Sequence, residues 1–378
     1  MTVRTTVVVG ASAVALTTAL AAPAMAAGTD THGATRQAVR AAVRDGVPGV
    51  TLTAKDGRST WSTTAGVGNL RTHAPRSADD RYRVGSITKT FVSTVVLQLE
   101  AEGRLSLDDT VEKWLPGVVH GHGHDGSRIT LRQLLNHTSG IFNYTADETF
   151  GRTYFLKDGF FRHRYDTKTP AQLVAVAMAH RPDFAPGTSW NYSNTNYVLA
   201  GMVIQKVTGR SYGEEIRDRV IAPLHLTATS VPGTRVTVPR PSSRAYSKLA
   251  ETATGPTYDV TRLNPSLASS AGEMISDSAD LDRFYSALLK GRLLPPKQLK
   301  EMKTTVTVEG IPNAGYGLGL IDRELGCGVH VWGHDGGIHG SNSVAVTTAD
   351  GRHSLAFNFN GDWSGDTDAV IEAEFCGR

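Results

Sequence analysis

Apolar and polar residues alternate with two different spacings near the start of the chain. Helical spacing over residues 39–43 predicts a first helix. Two β-rich runs, residues 49–54 and 59–66, flank an Asp-Gly pair and predict a hairpin. A third extended run, residues 81–84, leads through a glycine into a strongly apolar helix, and Ser86 stands at the N-terminus of that helix.

The rest of the chain divides into a helical middle and a β-rich end. Helical spacing predicts helices at residues 131–136, 170–180, 194–208, 212–221, 278–289, 296–302 and 367–375. Alternating patterns predict strands at residues 316–320, 328–332, 341–347 and 353–359. We therefore expect an α/β (α+β) fold, in which an antiparallel sheet flanked by helices is built from both chain ends and carries an inserted all-helical lobe. The predicted α/β sandwich domain is residues 27–107 and 260–378, and the lobe is residues 108–259.

The first 26 residues differ in composition from the remainder. Arg4 precedes an uncharged stretch that ends in the small-residue sequence Ala24-Met25-Ala26. A membrane anchor is the alternative, but the stretch is rich in Ala, Thr and Gly and runs into a cleavage pattern, which favours a signal peptide. The mature protein is expected to be secreted.

Composition and charge narrow the class of protein. Of 378 residues, 40% are hydrophobic and 20% charged, which excludes a coiled coil, a collagen-like repeat and a disordered chain. Lys and Arg total 39 against 36 acidic residues, without long runs of one sign, so a nucleic-acid partner is not expected.

The chain has two cysteines, Cys327 and Cys376. In an exported protein they can persist as a disulfide, and only one pairing exists. The alternative is two unrelated buried thiols. We expect the disulfide, because export would otherwise leave two oxidisable thiols.

Ser86 and Lys89 form an S-x-x-K sequence. Residues three apart on a helix share a face, so the amine can lie beside the hydroxyl. The four-residue string alone occurs by chance in a chain of this composition, in which case both side chains would be ordinary surface residues. Its position after an extended run and before an apolar helix favours a nucleophile, because a helix N-terminus stabilises negative charge.

Two further polar clusters stand out. Tyr192-Ser193-Asn194 precedes a predicted helix and by itself is typical of a loop and a helix cap. Residues 333–337, of sequence GHDGG, follow the strand predicted at 328–332 and by themselves predict a turn at its end.

In the order S-x-x-K, Y-x-N, H-x-G, these clusters resemble the penicillin-recognising serine hydrolases (the β-lactamase/DD-peptidase superfamily), and most closely the secreted D-alanyl-D-alanine carboxypeptidases. The resemblance extends over nearly the whole mature chain. It is carried by residues 82–89, 134–140 (LLNHTSG), 185–201 (APGTSWNYSNTNYVLAG), 316–320 (YGLGL), 333–336 and 375–377.

The resemblance implies four catalytic residues. Ser86 would be the nucleophile, and Lys89 and Tyr192 would divide the proton transfers of acylation and deacylation, in an order that the sequence leaves open. His334 replaces the lysine of many relatives and would keep the hydrogen bonds and positive potential of the site.

The resemblance also implies the substrate contacts. Asn194 would hold the amide carbonyl of the substrate, beside Asp335, Gly336 and Gly337. The backbone N–H groups of Ser86 and Gly337 would form the oxyanion hole.

Several residues depart from the carboxypeptidase pattern. Asp335 and Gly337 stand where those enzymes have threonines, and Leu267 stands where they have an aromatic residue. Ile321 replaces the arginine that holds the C-terminal carboxylate of the substrate, although Arg323 lies two residues on and could reach back toward Asp335. Most of these changes affect groups that recognise the substrate and none affects the three reactive side chains, so hydrolysis is a safer expectation than carboxypeptidase specificity.

The primary expectation is a secreted serine hydrolase with D-alanyl-D-alanine carboxypeptidase-like activity. The alternatives are a D-stereospecific aminopeptidase, endopeptidase or esterase of the same superfamily and, in another class, a non-catalytic sensor of muropeptides or β-lactams. The expected partners are a peptide or small-molecule substrate, with peptidoglycan fragments as candidates and β-lactams as candidate inhibitors. We expect a monomer without nucleic-acid or membrane partners.

His120, His122 and His124 alternate in a glycine-rich segment and could form a metal clip. No Cys or Glu lies nearby and the proposed chemistry needs no metal, so an ordinary connecting segment is the expected interpretation. Neither a metal nor a cofactor is expected. Isolated histidines such as His137 and His180 are expected to be structural.

Overall fold

The computed structural model describes residues 32–308 and 313–377. The predicted signal peptide, residues 1–26, lies outside the described residues. None of the helices in the described part of the chain has both the length and the apolarity needed to cross a membrane.

A large antiparallel sheet forms the centre of the molecule. Its strand order is β2-β1-β14-β13-β12-β11-β10-β9. The strands are β1 Gly49–Asp56, β2 Ser59–Gly66, β3 Tyr82–Arg83, β4 His120–Gly121, β5 His124–Asp125, β6 Tyr246–Ser247, β7 Tyr258–Asp259, β8 Ile275–Ser276, β9 Val306–Thr307, β10 Ala314–Tyr316, β11 Ile321–Glu324, β12 His330–Ile338, β13 Ser341–Thr348 and β14 His353–Phe359. The three pairs outside the large sheet are β3 with β8, β4 with β5, and β6 with β7.

The helices are α1 Gly33–Arg44, α2 Thr88–Ala101, α3 Val111–Trp114, α4 Leu131–Leu135, α5 Glu148–Tyr154, α6 Lys157–His163, α7 Pro170–Met178, α8 Asn194–Thr208, α9 Tyr212–Ile216, α10 Ser278–Leu289, α11 Pro296–Lys303 and α12 Thr367–Cys376. A π-helical turn, Arg217–Ile221, continues α9. Short 3-10 turns occur at Gly85–Ile87, Gly126–Arg128, Tyr144–Ala146, Pro265–Leu267 and Ser269–Ala271.

Strands β1 and β14, from the two ends of the described chain, are neighbours in the sheet. Val50 of β1 pairs with Phe359 of β14, and the antiparallel register continues along both strands. Strand β2 lies at the sheet edge and has polar residues at most positions, with exposed and partly buried side chains in alternation. The predicted fold class, an antiparallel sheet from both chain ends with helices inserted between its parts, is confirmed.

Separate hydrophobic cores cover the two faces of the sheet. On one face, Val39 of α1 and Ile371 of α12 pack with Leu52 and Phe357. On the other, α2 and α10 join a larger core that continues into the helical region. In this larger core, Phe91 of α2 stacks on Phe284 of α10 with ring centroids 3.7 Å apart. From His32 onward the chain forms one compact unit, and the predicted boundaries at residues 107 and 260 stay predictions.

Two predictions of local structure are wrong. Residues 317–320 are a turn between β10 and β11 rather than a strand, and Gly319 has a positive φ of 70° there. Conversely, residues 333–337 do not end a strand, because β12 continues through them to Ile338. Glycine is normally disfavoured inside strands, but here the missing side chains leave room for a neighbouring segment of the chain.

Cys327 and Cys376 are joined by a disulfide, with their Cα atoms 5.9 Å apart. The bridge connects the end of α12 to the turn between β11 and β12, the strand that carries His334. It therefore links the C-terminal helix to the turn that leads into strand β12.

We expect reduction of this disulfide to lower the melting temperature. The bridge spans a sequence separation of 49 residues, and closing such a loop restricts the unfolded chain by ~4 kcal/mol in the chain-entropy model. Thermal unfolding with and without dithiothreitol measures the effect, and the Cys327→Ser/Cys376→Ser double variant is the control. A drop of equal size when dithiothreitol is added to the double variant would contradict the prediction.

Candidate active site

The S-x-x-K motif lies at the start of helix α2, where a tight turn joins strand β3 to the helix. Gly85 has a positive φ of 53°, and the 3-10 turn Gly85–Ile87 places Ser86 just before α2 begins at Thr88. A Cβ at Gly85 would lie 2.7 Å from the Gly337 nitrogen, and one at Gly336 would lie 2.8 Å from the Ser86 nitrogen. Gly85 and Gly336 therefore allow β12 to lie directly against the turn that carries Ser86.

This contact brings the backbone of Gly336 and Gly337 next to that of Ser86. The backbone nitrogens of Ser86 and Gly337 therefore lie close to each other. Such a pair is the usual construction of an oxyanion hole, so their predicted role is retained as a hypothesis.

Lys89 is fully buried and makes three hydrogen bonds. Its Nζ lies 3.0 Å from Ser86 Oγ, 2.8 Å from Asn194 Oδ1 and 2.7 Å from the Ala271 carbonyl oxygen. Burial lowers the pKa of Lys89 well below its usual value, and Asp335 opposes that shift. When neutral, the amine donates to the two carbonyl-type oxygens and keeps its lone pair for the Ser86 proton.

The orientation of the Asn194 amide follows from its other contacts. Thr145 donates its hydroxyl proton to Asn143 Oδ1 at 2.9 Å, so Thr145 Oγ1 is left to accept from Asn194 Nδ2 at 3.1 Å. Asn194 Oδ1 must then face Lys89. In this structure Asn194 orients the lysine, and its predicted contact with a substrate carbonyl stays a hypothesis.

Tyr192 lies beside Lys89, whose Nζ is 4.8 Å from the centre of the tyrosine ring. Burial raises the pKa of Tyr192 well above its usual value, although a hydrogen bond to Ser86 opposes the shift. Tyr192 therefore keeps its proton at neutral pH. The two opposite shifts favour Lys89 as the base that activates Ser86 and Tyr192 as the donor that protonates the leaving group.

His334 is buried. Its Nε2 lies 2.9 Å from Tyr316 Oη, and its Nδ1 lies 2.5 Å from the Asp335 carbonyl oxygen. Burial lowers the pKa of His334 to about 4, although Asp335 acts in the opposite direction. An uncharged imidazole is therefore favoured at neutral pH, which argues against the expectation that His334 supplies positive potential.

Asp335 is the charged residue of the H-x-G strand. Its side chain is 55% exposed and lies 4.0 Å from His334 Nδ1. Arg323 does not reach back to neutralise it, since Arg323 Nη1 instead donates to Asp368 Oδ1 of α12 at 2.6 Å. Among the described residues, the ion pairs thus leave Asp335 without a lysine or arginine partner.

A cleft of about 640 Å³ opens over Ser86, Asn194 and Gly337. Glu251 and Asp362 contribute acidic groups to its wall. The lysine in the same wall, Lys248, directs its Nζ to Gly255 O and Thr257 Oγ1, each at 2.8 Å.

The alternating histidines lie apart from this cleft, on the β4/β5 hairpin. His120 is exposed, His124 is buried, and His122 Nδ1 contacts the Met178 carbonyl. Within the described ranges, the one convergent group of His, Cys and acidic ligand atoms is Cys327, Glu372 and Cys376, whose two sulfurs form the disulfide.

Sequence reasoning missed several residues that organise the site. These are Asn143, Thr145 and the Ala271 carbonyl, which surround Asn194 and Lys89, and His137 and Tyr316, which lie behind His334. Tyr316 and His137 belong to the YGLGL and LLNHTSG segments, whose polar residues within apolar surroundings were the available signal. A backbone carbonyl such as that of Ala271 leaves no signal in a sequence.

Comparison with known proteins agrees with this geometry. The family model described as Beta-lactamase matches residues 34–374, and the chain belongs to this family. It is a serine hydrolase of the β-lactamase and penicillin-binding protein superfamily, with the fold and the Ser86, Lys89 and Tyr192 arrangement described above.

Individual relatives include both penicillin-binding proteins and D-specific amidases. The chain is 26% identical over 332 residues to penicillin-binding protein 4* of Bacillus subtilis, covering 82% of this chain and 68% of that protein. It spans only 35% of another curated relative, protein flp of Staphylococcus aureus, at 33% identity over 49% of this chain.

Solved structures provide fuller coverage. A D-stereospecific amidohydrolase from Streptomyces sp. is 64% identical, with a TM-score of 0.88, over 92% of this chain and 99% of that chain. D-amino acid amidase from Ochrobactrum anthropi, complexed with D-phenylalanine, is 29% identical, with a TM-score of 0.78, over 93% of this chain and all of that chain (100%).

We expect a fluorophosphonate to label the purified protein once, on the peptide that contains Ser86. If the hydroxyl beside Lys89 is the activated nucleophile, Ser86→Ala should lose at least ~10³-fold in kcat/KM and all labelling. Mass mapping of the adduct checks this, with Ser93→Ala, in the helix α2 that follows, as the control. An adduct on a different serine would contradict the assignment.

We expect Asp335→Asn to move the acidic limb of the kcat/KM profile to lower pH. Asp335 raises the pKa of Lys89, so removal of its charge lets Lys89 lose its proton at lower pH. A pH profile of both proteins measures the shift. Asp350→Asn removes one exposed carboxylate at a distant hairpin and serves as the control; a shift to higher pH in Asp335→Asn would contradict the assignment of Lys89 as the base.

Proposed function

We propose that this serine hydrolase is a D-stereospecific amidohydrolase, which cleaves amides, esters or peptide bonds next to a D-residue. This is the alternative activity considered from the sequence, and it replaces D-alanyl-D-alanine carboxypeptidase activity as the favoured function. The 64% identity to a D-stereospecific amidohydrolase over 92% of the chain carries the proposal.

The charges at the site support this choice. A carboxypeptidase must hold the C-terminal carboxylate of its substrate, but here Asp335 is an acid and Ile321 replaces an arginine. Arg323, the nearest substitute in the sequence, is paired with Asp368. Two carboxylates ~4 Å apart at an effective dielectric near 20 repel by a few kcal/mol, reduced further by solvent at a half-exposed site.

The cleft wall also favours neutral or cationic substrates. Glu251 and Asp362 line it, while the ammonium of Lys248 is held by oxygens of its own loop. A free α-amino group, which a D-amino acid amide or ester carries, is compatible with acidic walls. A carboxylate at the end of a substrate would be repelled by the two acidic groups and attracted by Lys248, so the preference rests on the excess of acidic over basic groups in the wall.

We also propose that the protein is exported. The cleavage pattern after Ala26 supports removal of residues 1–26, and the disulfide suits an oxidising compartment. A secreted hydrolase would meet D-amino acid derivatives outside the cell, including fragments of peptidoglycan. Its monomeric state is likewise proposed from the sequence.

We expect D-phenylalanine amide and methyl ester to be cleaved at least tenfold faster, in kcat/KM, than their L-enantiomers. We also expect an acyl-D-Ala-D-Ala amide to be cleaved at least tenfold faster than the same peptide with a free carboxylate. Steady-state kinetics on the purified mature protein measure both ratios, and Ser86→Ala controls for background hydrolysis.

The variant Asp335→Thr tests whether the charge at position 335 sets the preference between amide and free acid. It introduces the residue that carboxypeptidases have at this position, and it should raise the activity on the free acid relative to the amide. A tenfold preference of the unaltered protein for the free acid would overturn the proposal and restore the carboxypeptidase function.

A further inference from the structure

Three aromatic side chains form a continuous hydrogen-bonded row behind the catalytic residues. Tyr316 Oη lies 3.2 Å from His137 Nε2 and 2.9 Å from His334 Nε2. All three side chains are buried, with exposed fractions of 0%, 1% and 2% for His137, Tyr316 and His334. We call this row the imidazole relay.

A backbone N–H sets the direction of the relay at the His137 end. Ser193 N–H donates to His137 Nδ1 at 3.2 Å, and a backbone N–H can only donate. The Asn196 amide supports the same direction. Its Oδ1 accepts from Ser139 Oγ at 2.7 Å, so its Nδ2 is the donor that faces His137 Nδ1 at 3.2 Å. Nδ1 therefore accepts, and the proton of His137 is on Nε2, directed at Tyr316.

A backbone carbonyl sets the same direction at the His334 end. His334 Nδ1 faces the Asp335 carbonyl oxygen at 2.5 Å, and a carbonyl can only accept. The proton of neutral His334 is therefore on Nδ1. Its Nε2 then accepts from the Tyr316 hydroxyl, whose oxygen accepts from His137.

We propose that His137 and Tyr316 are positioning residues, which hold His334 as a neutral imidazole with its proton on Nδ1. A second proton on His334 Nε2 would meet the hydroxyl proton of Tyr316. Because His137 already donates to that oxygen, the Tyr316 proton would have to leave its acceptor at 2.9 Å and turn toward the Tyr197 hydroxyl, which disfavours the doubly protonated imidazole.

The charge of His334 matters because of its neighbours. The ionisable groups that act on it are Asp335, Lys89, Arg323, Tyr192, Tyr316 and His137. A cation at His334 would oppose the ammonium that Lys89 forms when it takes the Ser86 proton. By keeping His334 uncharged, His137 and Tyr316 preserve the basicity of Lys89 without contacting it.

Nitrogen-resolved NMR of protein labelled with ¹⁵N-histidine tests the proposal directly, without a substrate. At pH 7 we expect His334 to be protonated on Nδ1 alone and His137 on Nε2 alone. In Tyr316→Phe, which removes only the hydroxyl, the titration of His334 should move up by roughly one pH unit, the worth of one buried hydrogen bond.

Matched variants distinguish the relay from general packing. Tyr82→Phe removes another buried hydroxyl, whose partner is Ser278 at 2.9 Å, and should leave the His334 titration in place. His137→Asn suits the positive φ of 63° at that position and should reproduce part of the Tyr316→Phe shift. The kcat/KM of Tyr316→Phe relative to unaltered protein should fall about threefold more at pH 4.5 than at pH 8, the change that a rise of the His334 pKa from about 4 by one unit requires.

Two outcomes would overturn the proposal. One is a His334 that carries its proton on Nε2, or on both nitrogens, at pH 7 in the unaltered protein. The other is an equal change of its titration in Tyr316→Phe and Tyr82→Phe. The NMR measurement needs no substrate, so its outcome does not depend on whether the enzyme is an amidase or a carboxypeptidase.

Discussion

The burial of one primary amine organises the catalytic centre. Lys89 lies inside the protein without a carboxylate in contact, and an ammonium there is costly. The surrounding groups satisfy its hydrogen bonds without adding a counter-charge, so the neutral amine is favoured. The Asn194 orientation, the retained Tyr192 proton and the neutral His334 are all compatible with that state.

Charge is distributed differently from the lysine-containing relatives that the sequence resembles. The position of the lysine in their third motif is occupied by an uncharged imidazole, and the next residue is the carboxylate of Asp335. The site therefore loses a cation and gains an anion within two adjacent residues. Such an exchange leaves the acyl-transfer groups in place while changing which substrates the surroundings tolerate.

The sequence predicted those features that depend on local spacing. Ser86 and Lys89 are three residues apart on one helical turn, so their contact follows from geometry, and the alternating patterns of β13 and β14 identified a buried sheet. The H-x-G strand was interpreted as a turn because glycine rarely favours strands, whereas here close approach of residues 84–86 requires it. The protonation state of His334 was not predictable either, since it depends on Tyr316 and His137, which are distant in sequence.

One of the three hydrogen-bond partners of Lys89 is the main-chain carbonyl of Ala271. Substitution can delete the Asn194 amide or the Ser86 hydroxyl, but no side-chain replacement at position 271 removes a backbone oxygen. This contact is therefore insensitive to point mutation at its own position and depends on the path of the chain through Ser269–Ala271. Insertions or deletions in the neighbouring turns, rather than substitutions, are the genetic changes by which evolution could detach it.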